Sequence, residues 1–470
     1  MRRRELLQYL GASPVLALGG LAHASATRTL TAGSAALPVA GEAALPVWAY
    51  DAQLPGPVMR FKRGEWVDVD LHNRLPEATT VHWHGIRLPN AMDGVPHLTQ
   101  PPVASGERFH YRFRLPDAGT YWYHPHLGTA EQLERGLAGA LVVDDDSPPP
   151  VDDDLVWLLD DWRLDAQGRI AEDFYRFHDV AHAGRLGQRI TVNGRVDTEL
   201  PLRVGQRVRL RLINAANARI FALQPEAGVD AWLIGRDGMP TPAALVWDAP
   251  LLLGPGMRAD VVIDARQAGR FAIQQLGGRE AGALATVVVS GSGQAAARAA
   301  PEPSGFEPPP APDLASAAVH TLRLGGGARS RDGWPEDSEA DRQARQQRRQ
   351  AGAKEADPAW TINGVAHTGD HHAHHAPAFG VTQGQSVRLI FENPTAWWHP
   401  LHLHGHHMRV LARNGTPLAD ATAWRDTVLL SPGDRVEVAF VADNPGRWLI
   451  HCHVLEHHAG GMGTTFEVAG

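Results

Sequence analysis

The chain has 470 residues and a formal charge of −8, long enough for about three domains that each bury a core, and no basic stripe follows its first few residues, which argues against nucleic acid as a partner. Its 35 prolines and 48 glycines punctuate short apolar runs about every ten residues, which argues against a helical bundle and for an all-β protein. The single cysteine excludes an intramolecular disulfide and, in an exported protein, suggests a thiol with a reserved chemical role.

Residues 1–26 carry arginines, a moderately apolar stretch from Leu6 to Leu21, and small residues at Ala22, Ala24 and Ala26. This is the pattern of an export signal, and Arg3-Arg4-Glu5-Leu6-Leu7 resembles the twin-arginine type. The expectation is delivery by the twin-arginine export machinery to the bacterial periplasm or cell exterior. No other run is long enough to cross a bilayer, so no stable membrane insertion is expected.

The first domain is expected over residues 27–146. Gly64-Glu65-Trp66-Val67-Asp68-Val69 leads in nine residues to Asn73, and His82 and His84 follow nine and eleven residues later. Ser105-Gly106-Glu107-Arg108 precedes Gly119 by thirteen residues counted from Gly106, and His124-Pro125-His126 starts five residues past Gly119. Glycine followed by apolar and polar residues in alternation reads as turn, then strand. The acidic, proline-rich stretch from Asp144 to Asp154 reads as a linker.

The second domain, 147–295, repeats the scheme. Gly205-Gln206-Arg207-Val208-Arg209-Leu210 leads to Asn214, and Pro255-Gly256-Met257-Arg258 precedes Gly269. Leu223, Pro225 and Gln274-Gln275-Leu276 stand where the first copy has histidines. This copy is expected to be a spacer without the histidine pairs, and His178 and His182 within it read as structural. Residues 294–318, rich in Ala and Pro, form a second linker, and the polar stretch 329–357 reads as a helix or lid.

The third domain, 296–470, restores the histidines. Gly384-Gln385-Ser386-Val387-Arg388-Leu389 leads to Asn393, His402 and His404; Pro432-Gly433-Asp434-Arg435 leads to Gly446 and then His451-Cys452-His453. An HxH pair arises by chance roughly once in a chain this rich in histidine. Four pairs at matching places in two repeats do not. Residues i and i+2 of a strand face one way, so eight imidazoles can converge between the outer domains, and burying so many polar nitrogens is costly without metal.

Strand alternation separates Cys452 from its neighbours. His451 and His453 face the cluster, while Cys452 faces a second site, for which His399, His457 and Met462 are the nearby donors. Two histidines, a thiolate and a weak axial thioether make an electron-transfer copper site. Pro125 occupies the parallel place in the first domain, so only the third has this site. A one-electron centre joined through Cys452 to a multinuclear one implies that single electrons are collected for reduction of dioxygen. His406, His407 and His458 lack counterparts in the other copies and read as supporting or solvent-facing.

His82-Trp83-His84-Gly85, His124-Pro125-His126, His399-Pro400-Leu401-His402-Leu403-His404 and His451-Cys452-His453 through His457 to Met462 resemble, in this order, the multicopper oxidases. The resemblance covers nearly the whole mature chain and implies three consecutive cupredoxin-like Greek-key β-barrel domains and four copper ions. It implies type 1 copper at His399, Cys452, His457 and Met462, type 2 at His82 and His402, and a type 3 pair at His84, His124, His126, His404, His451 and His453. Asp93 matches a family aspartate that serves proton supply. The second family acid is replaced by His458, with Glu456 as the neighbouring alternative. Implied partners are dioxygen and, as reductant, a phenol, an aromatic amine or Cu(I); a copper-resistance cuprous oxidase and a non-catalytic copper-binding scaffold are the competing readings. Trp397 and Trp398 precede His399 where a Cu(I)-specific relative has methionines, and offer either shielding or an aromatic contact surface. His367 and His371-His372-Ala373-His374-His375 form a histidine-rich insert, either an accessory copper site or an exposed loop.

Overall fold

A computed structural model describes residues 27–303, 308–330, 333–335, 339–350, 352, 354–368, 372–418 and 424–470. The segment read as an export signal, and His371, lie outside these residues. The described chain is built from β-sheets, with short helices at Thr129–Glu134, Phe177–Ala181 and Leu455–Ala459 and a longer one at Glu339–Gln350. No described helix is long and apolar enough to cross a membrane.

One pairing scheme occurs three times. In the first sheet of each unit a strand runs parallel to the one that follows the glycine anchor, which is antiparallel to a third: Arg28–Val39, Trp66–Asn73 and Arg108–Arg114; Asp153–Trp162, Arg207–Asn214 and Arg258–Asp264; Ala318–Gly326, Ser386–Glu392 and Arg435–Val441. The second sheets repeat as closely. Gly56–Lys62, Gly139–Asp144, Gly119–His124 and His82–His84 have the same order as Phe379–Thr382, Gly463–Ala469, Gly446–Cys452 and His399–Leu403. The architecture is all-β and cupredoxin-like, two sheets to a unit.

The repeated residues hold equivalent turns. Gly64, Gly205 and Gly384 have φ of 84°, 92° and 84°, the left-handed region where a side chain is disfavoured. The three asparagines do more. Asn73 Nδ2 donates to the carbonyls of Glu77 and Val103, both at 2.8 Å; Asn214 to those of Arg219 and Leu253, both at 2.8 Å; and Asn393 to those of Trp397 and Ser431 at 2.8 and 2.9 Å. Each also accepts a backbone N–H two residues on. A buried amide thereby fixes the loop that enters the strand bearing His82, Leu223 or His402.

One continuous apolar cluster runs through the first and third units, from Leu30, Trp83 and Tyr123 to Leu401, Trp448 and Met462. This shared core holds the two histidine-bearing sheets in fixed relation. The alternation in Arg207-Val208-Arg209-Leu210-Arg211 suggests a strand with one wet face, yet all eight residues of Arg207–Asn214 are buried. Its arginines are paired: Arg207 with Asp264, Arg209 with Asp260, Arg211 with Asp154, and Arg211 also donates to Thr120 of the first unit at 2.8 Å. The charged face is covered by a domain contact. The acidic linker is likewise drawn into strands at both ends, with Asp144 and Asp154 both accepting from Arg60.

Candidate metal centres

His82 lies opposite His124 in one antiparallel pair and His402 opposite His451 in another. This cross-strand register brings the HxH pairs of each unit together, and the shared core brings the units together. All eight imidazoles are buried. Donor atoms of His84, His124 and His453 lie within 4.8 Å of one another, as do those of His126, His404 and His451, and those of His82, His84 and His402. The rings of His82 and His404 stack at 4.1 Å and those of His84 and His402 at 3.8 Å, each pair joining the first unit to the third.

Hydrogen bonds on the far side of each ring set which nitrogen faces inward. Nδ1–H of His82 donates to the Asp93 carbonyl at 2.7 Å, that of His124 to Pro125 at 2.8 Å, that of His402 to Asp426 at 3.0 Å and that of His451 to Cys452 at 3.0 Å. His404 Nδ1 meets the Asp93 carboxylate at 2.9 Å. Each bond leaves an Nε2 lone pair pointing at the centre, the arrangement found around ligating histidines. His84 is turned the other way: Nε2 lies 3.4 Å from Asp426 Oδ1, and Nδ1 is the buried nitrogen without a partner.

The inward nitrogens of His82, His84, His124, His126, His402 and His453 have no hydrogen-bond partner, and His404 and His451 face each other Nε2 to Nε2 at 3.1 Å. Burial holds the pKa of His84, His124, His126, His404, His451 and His453 well below the usual imidazole range. Lone pairs converging in a buried space without protons are the donor set of a cation, and all-imidazole sets suit copper.

Cys452 stands on the opposite face of its strand. Its Sγ is 3.5 Å from His399 Nδ1 and 3.6 Å from His457 Nδ1, and those two nitrogens are 3.1 Å apart. The tautomers follow from the outer bonds. Thr395 Oγ1 donates to Asn393 Oδ1 at 2.7 Å and so accepts from His399 Nε2 at 2.8 Å, while His457 Nε2 donates to the His182 carbonyl at 2.7 Å. Both Nδ1 atoms therefore present lone pairs to the sulfur. Met462 is fully buried, its carbonyl accepting from Cys452 N at 3.0 Å and its N–H donating to His457 O at 2.9 Å, which binds the three residues into one turn.

Those backbone bonds close the loop 452–462 around the helix Leu455–Ala459. Burial pushes the Cys452 thiol pKa up, so the thiolate exists there only when a cation holds it. Trp360 covers the site, its ring 4.3 Å from His457 and 5.0 Å from His399.

The residues expected to handle protons sit in different places. Asp93 is buried between the outer units, its Oδ1 3.3 Å from His82 Nδ1 and its Oδ2 on His404. Gly94 makes this position possible, since a Cβ there would lie 1.9 Å from the Val81 carbonyl. The His458 ring lies 4.3 Å from that of His451, tilted by 38°, and 5.4 Å from that of His126. Glu456 points elsewhere: its carboxylate accepts from Asn217 Nδ2 at 3.0 Å and Arg185 N at 2.9 Å, both in the middle unit. The solvent-facing alternative for His406, His407 and His458 is corrected, because all three are buried. His406 packs on Phe440, Trp448 and Phe466, and His407 donates to the Gly85 carbonyl at 2.8 Å.

Three supporting residues escape motif reasoning. Asp426 accepts a bidentate pair from Arg258 and lies 3.4 Å from His84 Nε2 and 3.6 Å from His402 Nδ1. Arg258 belongs to the middle unit, as does His182, whose carbonyl orients His457. The middle unit, which contributes no side chain to either cluster, thus braces both. Trp360, over the Cys452 site, joins these three, and its only sequence signal was an aromatic residue ahead of an Asn-Gly turn.

Family models described as multicopper oxidase match residues 32–148 and 341–470. The chain is 32% identical to multicopper oxidase MmcO of Mycobacterium tuberculosis over 94% of this chain and 86% of that protein. It superposes on a multi-copper oxidase from Pseudomonas thermotolerans with a TM-score of 0.81 at 32% identity, covering 94% of this chain and 99% of the other. A laccase-like multi-copper oxidase of Ochrobactrum sp., described as having oxidase activity towards lignin model compounds and lignosulfonate, gives 0.77 at 25% identity over 95% and 98% of the two chains. The chain belongs to the multicopper oxidases, oxidoreductases that use dioxygen.

Proposed function

We propose that the protein takes single electrons from a phenol or aromatic amine at a type 1 copper held by His399, Cys452, His457 and Met462, and uses four of them to reduce one dioxygen to two waters. The trinuclear centre is assigned to His82 and His402 (type 2) and to the triads His84, His124, His453 and His126, His404, His451 (type 3), making four coppers per chain. When bound, these ions supply the one-electron transfer and storage that no side chain here provides.

The observation that carries the choice of reductant is the wall around His457. A cleft of about 280 Å³ is lined by Leu186, Leu276, Trp397, Trp398, Val454 and His457, and Trp398 is 39% exposed. Its described lining includes no methionine, cysteine or carboxylate. A flat aromatic ring can stack there with its edge toward His457, whereas Cu(I) would find no uncommitted imidazole, thioether or thiolate among the described lining residues.

Cys452 joins the two centres covalently, since His451 and His453 are its chain neighbours. The buried frame excludes water from the imidazole cluster. Asp93, hydrogen-bonded to His404, and His458, whose ring lies 4.3 Å from that of His451, are the groups placed to relay protons to the cluster. The amino-terminal arginine and apolar segment supports delivery outside the cytoplasm.

Dioxygen uptake by copper-loaded protein, with a phenol and with Cu(I) supplied in parallel at equal electron equivalents, tests the reading. Uptake with phenol and no added copper is expected, and Cys452→Ser should lose both the blue colour and the turnover. Uptake with Cu(I) alone would favour copper detoxification, and uptake with neither, at full copper loading, would leave a copper-binding scaffold.

A further inference from the structure

Beyond the eight clustered imidazoles lies another pair. His458 Nε2 and His372 Nε2 are 3.0 Å apart, their rings parallel within 7° with centres 5.0 Å apart, and both residues are buried. At the centres described above, the imidazole nitrogen pairs His404 with His451 and His399 with His457 have separations of 3.1 Å. His367 adds a third buried ring, 6.2 Å from that of His372, and the Nδ1 of His367 has no hydrogen-bond partner.

The turn bearing His372 is held in place. Arg447 donates to the carbonyls of Ala373 at 3.2 Å and His372 at 3.3 Å, and to that of His375. His372 thus faces inward while His374, two residues on, is exposed.

We propose that His372 and His458, with His367 as the neighbouring buried ring, form a binding site for one further copper ion in its monovalent state. Neutral imidazoles in small number match the low coordination number that Cu(I) accepts, whereas Cu(II) prefers a tetragonal set of four. Charge points the same way. Arg447 is the charged side chain fixed beside the turn, and the His458–His372 contact is between two imidazole nitrogens. Burying a divalent ion among neutral donors beside a guanidinium costs more than burying a monovalent one. The site is separate from the reductant cleft, because His458 opens onto a different cavity, lined by Glu77, Gln132, Tyr175 and Lys354, while His457 opens onto the Trp398 cleft. Copper on His458 would also withdraw that imidazole from proton delivery.

The site stands whether or not phenols are the reductant. The test takes protein already loaded with its resident coppers and reduced without oxygen, and titrates it with Cu(I) against bathocuproine disulfonate. The wild type should retain one more Cu(I) than His372→Ala, while His374→Ala should match the wild type. The difference in copper X-ray absorption between the wild type with and without the added equivalent should show nitrogen scatterers and no additional sulfur. His372→Gln and His367→Ala repeat the comparison with less disturbance of the turn, and the blue absorbance after reoxidation confirms that each variant keeps its resident centres. No extra equivalent in the wild type, or one retained at equal affinity in both His372 variants, means that the pair shares only a proton and overturns the proposal.

Discussion

Arg258 of the middle unit reaches into the third and clamps Asp426 with two hydrogen bonds, one of them 2.7 Å from Nη1 to Oδ1, and Asp426 in turn backs both His84 and His402. Both partners are fully buried. A unit that contributes no side chain to the imidazole cluster therefore fixes the orientation of two of its rings. Arg258→Met preserves most of the side-chain length and leaves the Asp426 carboxylate without its cation, a loss of about 3–5 kcal/mol for a broken buried pair. We expect lower thermal stability and selective loss of type 2 copper, read by metal content and electron paramagnetic resonance. A variant with full type 2 signal and unchanged melting would show the clamp to be dispensable.

Asp93 bonds His404 through its carboxylate and His82 through its carbonyl. Asp93→Asn keeps the size and can still accept a hydrogen bond, but it cannot release a proton. Loss of a positioned acid or base costs about 10²–10⁴-fold, so reoxidation of the fully reduced protein by dioxygen should slow by that order while reduction of the blue copper by phenol is unchanged. Equal slowing of both half-reactions would point to a structural defect instead.

Trp398 offers the exposed aromatic surface of the cleft at His457. Stacking of one aromatic pair contributes about 0.5–1.5 kcal/mol, so Trp398→Ala should raise KM for a phenol by roughly 2- to 12-fold and leave kcat within about 2-fold. The same variant should leave oxidation of a small inorganic electron donor such as ferrocyanide nearly unchanged. If both reductants lose activity in parallel, the tryptophan acts on the copper site and not on the substrate.

The metal-free protein should be acid-sensitive. Burial lowers His367, His406 and His457 to about 3 and His407 and His458 to about 4, against an ordinary 6.5. Between those values the unfolded chain binds protons that the folded chain refuses, so this stability is fully present above pH 6.5 and is lost as the pH falls towards 3. Glu134 and Asp237, raised by burial to about 7 and about 6, act in the opposite sense, as do Asp160, Asp161 and Glu456, which burial also raises. The imidazoles prevail in number, because His84, His124, His126, His404, His451 and His453 join the five already named. The net slope is positive, each proton adding up to about 1.4 kcal/mol per pH unit. The urea midpoint of the apoprotein should climb from about pH 4 to about pH 6.5 and then level off. A flat or falling midpoint across that interval would contradict the burial of neutral imidazoles.

The donors were legible because they are repeated at fixed distances from glycine and asparagine anchors, and because strand alternation separates Cys452 from His451 and His453. Spacing within one chain could not reveal partners that come from another unit. Arg258 and the His182 carbonyl reach the third unit only after the units pack, and although Arg258 ends the repeated glycine anchor, nothing there marks it as the partner of Asp426. Arg209 and Arg211 alternate with Val208 and Leu210 as on a wet face, but Asp260 and Asp154 of the same unit and Thr120 of the first cover it. His372 and His374 lie in one histidine-rich turn that local sequence cannot sort, and the contact with Arg447 turns one inward and leaves the other in solvent.

The central claim is that electrons collected one at a time at the Cys452 site are delivered together to dioxygen. An anaerobic reductive titration of copper-loaded protein, followed by admission of dioxygen in counted amounts with a peroxide assay, tests it most directly. Four electron equivalents should be needed for full reduction, and one dioxygen should restore the blue absorbance without hydrogen peroxide. Two electrons per dioxygen with peroxide released, or a blue site that reoxidises while the buried cluster stays reduced, would contradict the account.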